Sequence, residues 1–141
     1  MAILSKKVFV ASSMFIAFID RAHPKHDQAI AFFRFLSQEE YLLFTDTTSI
    51  IDTYSQIYKD ISPSLAKDFL RTLAISSINV IYHDESDIKA ALKALITYQS
   101  TELSFPEALM AVLANRRGIS QVATFSYLHT LFGITVFYLP I

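Results

Sequence analysis

The sequence predicts an α/β protein with a mostly parallel sheet of about five short strands covered by helices on both faces. Three observations carry that expectation. Short apolar runs recur at 8–10, 41–44, 78–82, 121–124 and 134–138. The stretches between them repeat their apolar residues at helical spacing. Gly and Pro are sparse, at two and four in 141 residues, so long flexible linkers are not expected. Short, nearly continuous apolar strands separated by amphipathic helices are the pattern of a parallel sheet buried on both faces.

Taken in order, Val8 to Val10 is the first strand, and Ser12 or Ser13 is available to cap the helix that follows. His23 and Pro24 interrupt the chain, and Pro24 suits the first turn of a second helix. There Ala29, Phe32, Phe33 and Leu36 form one buried stripe. Tyr41 to Phe44 is a strand bounded by Thr45 and Asp46. Ile50, Tyr54, Ile57 and Tyr58 mark a third helix. Ser62 and Pro63 begin a fourth, with Ala66, Phe69, Leu70 and Leu73 on one face. Ile78 to Tyr82 is β-branched and aromatic, hence a strand. The acidic run from His83 to Asp87 favours a helix N-terminus, and Ile88, Ala91, Leu92, Leu95 and Ile96 are expected inward on that fifth helix.

Ser104-Phe105-Pro106-Glu107 opens a sixth helix, with Leu109, Val112 and Leu113 inside. It ends at Gly118, with Arg116 and Arg117 in the last turn, where the helix dipole favours cations. Gln121 to Thr124 is a strand, Tyr127 to Leu131 a short helix, and Ile134 to Tyr138 the last strand. No repeat or composition shift divides the chain, so residues 1–141 are expected to form one domain.

Composition narrows the classes. Just over half the residues are hydrophobic, and the formal charge is −1. That balance gives no global pull toward nucleic acid or anionic membrane, though it leaves room for a local basic patch. The absence of Cys excludes disulfides and thiolate metal sites, and fits a reducing interior. Apolar runs are shorter than the roughly 20 residues of a membrane span. Lys6 and Lys7 precede an apolar stretch as in a signal peptide, but Asp20 and Arg21 follow it without a small-residue cleavage pattern. A soluble cytoplasmic domain with no membrane association is the expectation. No glycine-rich phosphate loop is present, which disfavours dinucleotide and P-loop binding.

Three stretches resemble a known family. They are Val8-Phe9-Val10-Ala11-Ser12-Ser13, Leu103-Ser104-Phe105-Pro106-Glu107-Ala108, and Gly118-Ile119 through Val122-Ala123-Thr124-Phe125. In order and spacing they are similar to the PIN domain family, and within it to toxin ribonucleases of the VapC type. A weaker match covers Thr45 to Ile57. The resemblance runs from Val8 to about Leu139 and implies a three-layer α/β/α PIN-like fold. It also implies a divalent-metal-dependent ribonuclease in which three or four carboxylates at the C-terminal strand ends hold Mg²⁺ or Mn²⁺. Hard cations want such oxygen ligands, and the metal activates water and stabilises charge on the phosphate.

Carried over position by position, the acid set is damaged. The first acid position is Ala11 and the fourth is Ser126, neither of which ligates as a carboxylate. The second falls on Asp52, where the family more often has Glu, and the third on Glu107, where it usually has Asp. Asp for Glu shortens the reach by roughly 1.5 Å, a large change for the octahedral geometry of Mg²⁺. Asp52 stands equally as a vestigial ligand or a solvated helix residue. Glu107 has an alternative in a capping box with Ser104. Ser13 aligns with a supporting serine, and capping of the first helix explains it as well. His23 and His26 near Asp20 and Asp27 read as an exposed turn, and Lys6, Lys7, Arg116 and Arg117 as solvated charge.

The leading expectation is therefore a PIN-like domain with a degenerate, inactive or strongly weakened nuclease site. A binding role would remain, toward an antitoxin-like protein, RNA or a second copy of the chain. The competing expectation is an active Mg- or Mn-dependent ribonuclease that uses Asp52 and Glu107. A variant of it has an active parent disabled by substitution at Ala11. Ser126 is a second, independent departure and favours natural decay.

Overall fold

A computed structural model describes residues 6–99, 102–129 and 131–139. Along the described chain the elements are β1 (Lys7–Val10), α1 (Ser12–Ile19), α2 (His26–Gln38), β2 (Leu42–Asp46), α3 (Thr47–Asp60) and α4 (Pro63–Ile75). They continue as β3 (Asn79–Ile81), α5 (Glu85–Thr97), α6 (Phe105–Arg116), β4 (Gln121–Ala123) and β5 (Thr135–Val136). The strands form one sheet in the order β3-β2-β1-β4-β5, and every neighbouring pair is parallel.

Side chains alternate across this sheet and sort into two cores. Phe9 and Val122 face α5 and α6, whereas Val8, Val10 and Ala123 face α1, α2 and α4. The result is three layers. Val8, Phe9 and Val10 are each 0% exposed, and burial of such side chains contributes roughly 1.5–3 kcal/mol apiece. Helix α6 buries every residue from Ala108 to Ala114, not only the three expected inward. A helix with no polar face over two turns must be surrounded.

The order of strands matters more than their number. From β1 the chain builds outward through β2 and β3, then returns to the opposite side of β1 for β4 and β5. The direction of winding thus reverses between β1 and β4, where Phe9 pairs with Val122 and Val10 with Ala123. In open parallel sheets the ligand crevice lies beyond the strand ends at this reversal.

Several local expectations need correction. Helix α2 begins at His26, because a turn that ends with the Lys25 N–H donating to His23 Nδ1 at 3.0 Å keeps Pro24 outside it. His23 and His26 are half-buried, and His26 Nδ1 lies 2.9 Å from the Ala17 carbonyl. Neither Ser12 nor Ser13 caps α1, whose N-cap is Ala11. Leu70, Leu92 and Ile96 are exposed, the last two because α5 meets its neighbours mainly through Ile88, Ala91 and Leu95. Tyr127 to His129 is not helical, and the His129 N–H donates to the Glu107 carboxylate. Arg116 is not solvated charge: it ion-pairs with the buried Asp87 at 2.7 Å and ties α6 to α5. Asp87 also completes a reciprocal capping box with Asp84, as the acidic run suggested. Burial pushes the Asp87 carboxyl up, but the Asp84 hydrogen bond and the Arg116 guanidinium outweigh it and hold it low.

Two helices end in the same motif with different residues. After α6, Ile119 N–H donates to Ala114 O at 2.8 Å and Gly118 takes φ +70. After α2, Tyr41 N–H donates to Leu36 O at 2.9 Å, but the left-handed position is Glu40, at φ +58. Glycine adopts that conformation without the Cβ clash that Glu40 carries.

Strand β2 extends past its expected end, because Thr45 and Asp46 pair with Val80 and Ile81. Asp46 is wholly buried, and its Oδ1 caps α3 by accepting from Ser49 N–H at 2.8 Å. Its Oδ2 is buried with no hydrogen-bond partner among the described residues. Burial therefore pushes the Asp46 carboxyl up, against the opposing Ser49 hydrogen bonds and His83 charge. A raised folded value means the native state holds this proton more tightly than the unfolded chain. Its contribution to stability then falls as pH rises from the ordinary carboxylate range through the raised value.

These backbone and capping features set the stability of three variants. Glu40→Gly should raise unfolding free energy by about 0.5–1 kcal/mol, read as a higher urea midpoint. Asp46→Asn keeps the cap acceptor without the buried charge and should raise the urea midpoint at pH 7, by an amount that shrinks toward pH 4. Asp46→Ala should be less stable than Asp46→Asn by about 1 kcal/mol, through loss of the cap.

Candidate functional site

At the reversal between β1 and β4 lies a crevice of about 160 Å³ whose wall includes Ala11, Ser13, Asp52, Glu107 and Ser126. Those five residues come from four separate parts of the chain. Ala11 follows β1 and extends its ladder by one bond, with its N–H donating to Ala123 O at 3.1 Å. Asp52 projects from the second turn of α3, half-buried. The start of α3 is fastened to the start of α1 by the Ser12 hydroxyl, which donates to Ser49 O at 3.2 Å.

The ends of β1 and β4 are held together by hydroxyls. Ser13 Oγ accepts from the Phe125 N–H at 2.9 Å and is hydrogen-bonded to Thr124 Oγ1, also at 2.9 Å. Thr124 Oγ1 in turn accepts from the Ser126 N–H at 3.0 Å. Ser13 thus braces the strand ends and does not cap its helix. Ser126 is exposed, at the outer lip.

Glu107 has a partner that lies far from it in sequence. Its backbone N–H donates to Ser104 Oγ at 3.2 Å, which supplies half of the expected capping box. The carboxylate does not return to Ser104. It accepts instead from the His129 backbone N–H at 2.6 Å and from His129 Nδ1, at 2.8 Å to Oε1 and 3.0 Å to Oε2. A carboxylate is an acceptor only, so the ring proton is assigned to Nδ1. Both side chains are largely buried, at 8% and 15% exposure, and the Tyr98 and Tyr127 rings stand nearly perpendicular to the imidazole, with centroids 5.9 and 4.9 Å from it.

Beside the crevice a second hollow shares Ser12, Ser13, Asp52 and Ser126 and extends to His23, Lys25 and Gln56. Lys25 Nζ sits 5.5 Å from the centroid of the Phe125 ring. A cation over an aromatic face at the lip of a crevice suits the edge of an anionic or π-rich ligand.

Two carboxylates, Asp52 and Glu107, stand on the crevice wall. Among the described residues, no group of three or more His, Asp or Glu side chains could hold a metal ion. Of the two carboxylates on the wall, Glu107 has both oxygens engaged by His129. Mg²⁺ demands near-ideal octahedral oxygen geometry and is held by one or two carboxylates together with waters and substrate phosphates.

Sequence reasoning missed three residues here. Thr124 stands in the third of the resembling stretches, where the sequence offers no role for it. Asp46 carried a usable signal, an Asp three residues before Ser49 at the head of an amphipathic run. His129 had none, since nothing local links it to Glu107, 22 residues away.

No protein-family model matches the sequence, and no curated protein matches it by sequence. Among solved structures, VapC20 of Mycobacterium tuberculosis, a sarcin-ricin loop cleaving toxin, matches with a TM-score of 0.75 at 18% identity. The match covers 84% of this chain and 89% of that one. Among the described residues no helix is long and apolar enough to cross a membrane. The three layers, the all-parallel five-stranded sheet and this structural match give one conclusion: the chain has the PIN-like fold of the VapC type.

Proposed function

We propose that this chain is a PIN-like domain whose metal-dependent ribonuclease site has decayed, leaving a binding protein in place of an enzyme. The observation that carries the reading is the convergence of Ala11, Asp52, Glu107 and Ser126 on one crevice at the sheet's reversal point. Two of those four positions offer a methyl and a hydroxyl where the resemblance implies carboxylates. Losing them removes like-charge repulsion among clustered acids, so nothing in the energetics of folding opposes the loss.

The binding role we assign is toward an antitoxin-like protein, RNA or a second copy of the chain. The Lys25 and Phe125 edge of the adjoining hollow supports the RNA arm, because a basic side chain beside an aromatic ring suits a phosphate and a base together. The reading places the domain in the cytoplasm, in keeping with its lack of Cys.

The test is a thermal melt with added Mn²⁺ or Mg²⁺, run beside incubation with single-stranded RNA. A ligand that binds only the folded state raises the melting temperature by mass action. We expect no saturable rise and no cleavage that a chelator abolishes. A saturable rise of several degrees, with cleavage lost in Asp52→Asn or Glu107→Gln, would establish the active enzyme instead.

A further inference from the structure

We infer that the crevice takes an unpaired guanine of single-stranded RNA, stacked on Tyr127 and held by Asp52 through its N–H edge. The inference rests on the RNA arm of the reading above and names the base that this arm selects. Tyr127 stands on the crevice wall and is 78% exposed, a large ring kept in water. Pro106, Met110 and Leu128 share that wall. Apolar surface beside polar atoms suits a base, whose faces stack and whose edges hydrogen-bond. At about 160 Å³ the crevice is well below the roughly 300–1,000 Å³ of a site for a drug-sized ligand. It has room for one ring system, with ribose and phosphate outside.

Charge decides which part of a nucleotide enters. Asp52 and Glu107 are both on the wall, and among the described residues no Lys or Arg lines it. A phosphate is therefore repelled from the crevice. The cation lies next door: Lys25, exposed beside the Phe125 ring, lines the adjoining hollow of about 370 Å³ together with His23. The two spaces join at Ser12, Ser13, Asp52 and Ser126. A strand can place its base in the crevice and its phosphate beside Lys25, across that shared edge.

Asp52 is the group that reads the base. It sits at the junction, half-buried, with no hydrogen bond or ion pair among the described residues. Glu107, by contrast, already accepts from His129. An ionised carboxylate only accepts, and it does so through two oxygens side by side. Among the RNA bases, guanine alone carries two adjacent donors on its Watson–Crick edge, N1–H and the N2 amino group. Adenine, cytosine and uracil each set an acceptor next to their donor, and a carboxylate oxygen repels it.

The experiment measures fluorescence anisotropy of short labelled oligouridine strands that carry one central guanosine, inosine, adenosine or cytidine, in EDTA at low salt. The guanosine strand should bind about tenfold or more tighter than the adenosine, cytidine and all-uridine strands. Inosine, which lacks the N2 amino group, should fall between. Asp52→Asn, whose amide offers one donor and one acceptor, should erase the preference. Tyr127→Ala should weaken the guanosine strand by about fivefold or more, and Tyr127→Phe should keep its affinity. Binding without base preference overturns the inference, as does a preference that survives Asp52→Asn or full affinity in Tyr127→Ala. Equal affinity for guanosine and inosine overturns it too and needs no variant, so the test stands even if Asp52→Asn does not fold. If none of the strands binds, the RNA arm itself fails, and the two failures are told apart.

Discussion

Everything in this fold is placed by the burial of β1. Three consecutive residues, Val8, Phe9 and Val10, expose no surface, and the strand is paired on both sides, with β2 and with β4. Because side chains alternate, Phe9 serves one core and its two neighbours the other. A slip of one residue would exchange the cores, so the register is fixed with little freedom. Once it is fixed, the residue after Val10 has to emerge at the sheet's reversal point. The identity of residue 11 is a chemical matter, but its location is a packing one.

Periodicity made the layers legible, and short motifs made the crevice legible. Strand positions came close because apolar runs bounded by turn residues have few alternatives at this length. Strand order was beyond reach, since nothing local tells β4 which side of β1 to join. The misjudged details share a cause. Leu92 and Ile96 have the hydrophobicity of inward residues, but α5 is only partly covered. Ser13, Glu107 and Arg116 each had a local role on offer, a cap or a solvated helix end. Each instead spends its polar groups on a residue far along the chain: Thr124 and Phe125, His129, and Asp87. Local propensity describes what a side chain can do nearby, and tertiary contact decides whether it does.

The crevice also separates what builds a site from what works in it. The Ser13 and Thr124 hydroxyls, the Ser12 bond to α3 and the buried α6 all shape the cavity without any carboxylate. Acids at the strand ends are therefore replaceable at small structural cost. Asp46 shows the converse case: it is an acid kept for its cap, with one oxygen left unpaired inside the protein.

The sheet has a short strand at each edge. Strands β3 and β5 are three and two residues long, so each rim offers only a few unpaired amides and carbonyls. A neighbouring strand needs a longer template than that to add on. Short edge strands of this kind disfavour growth by sheet extension, the route toward fibrils and strand-exchanged aggregates.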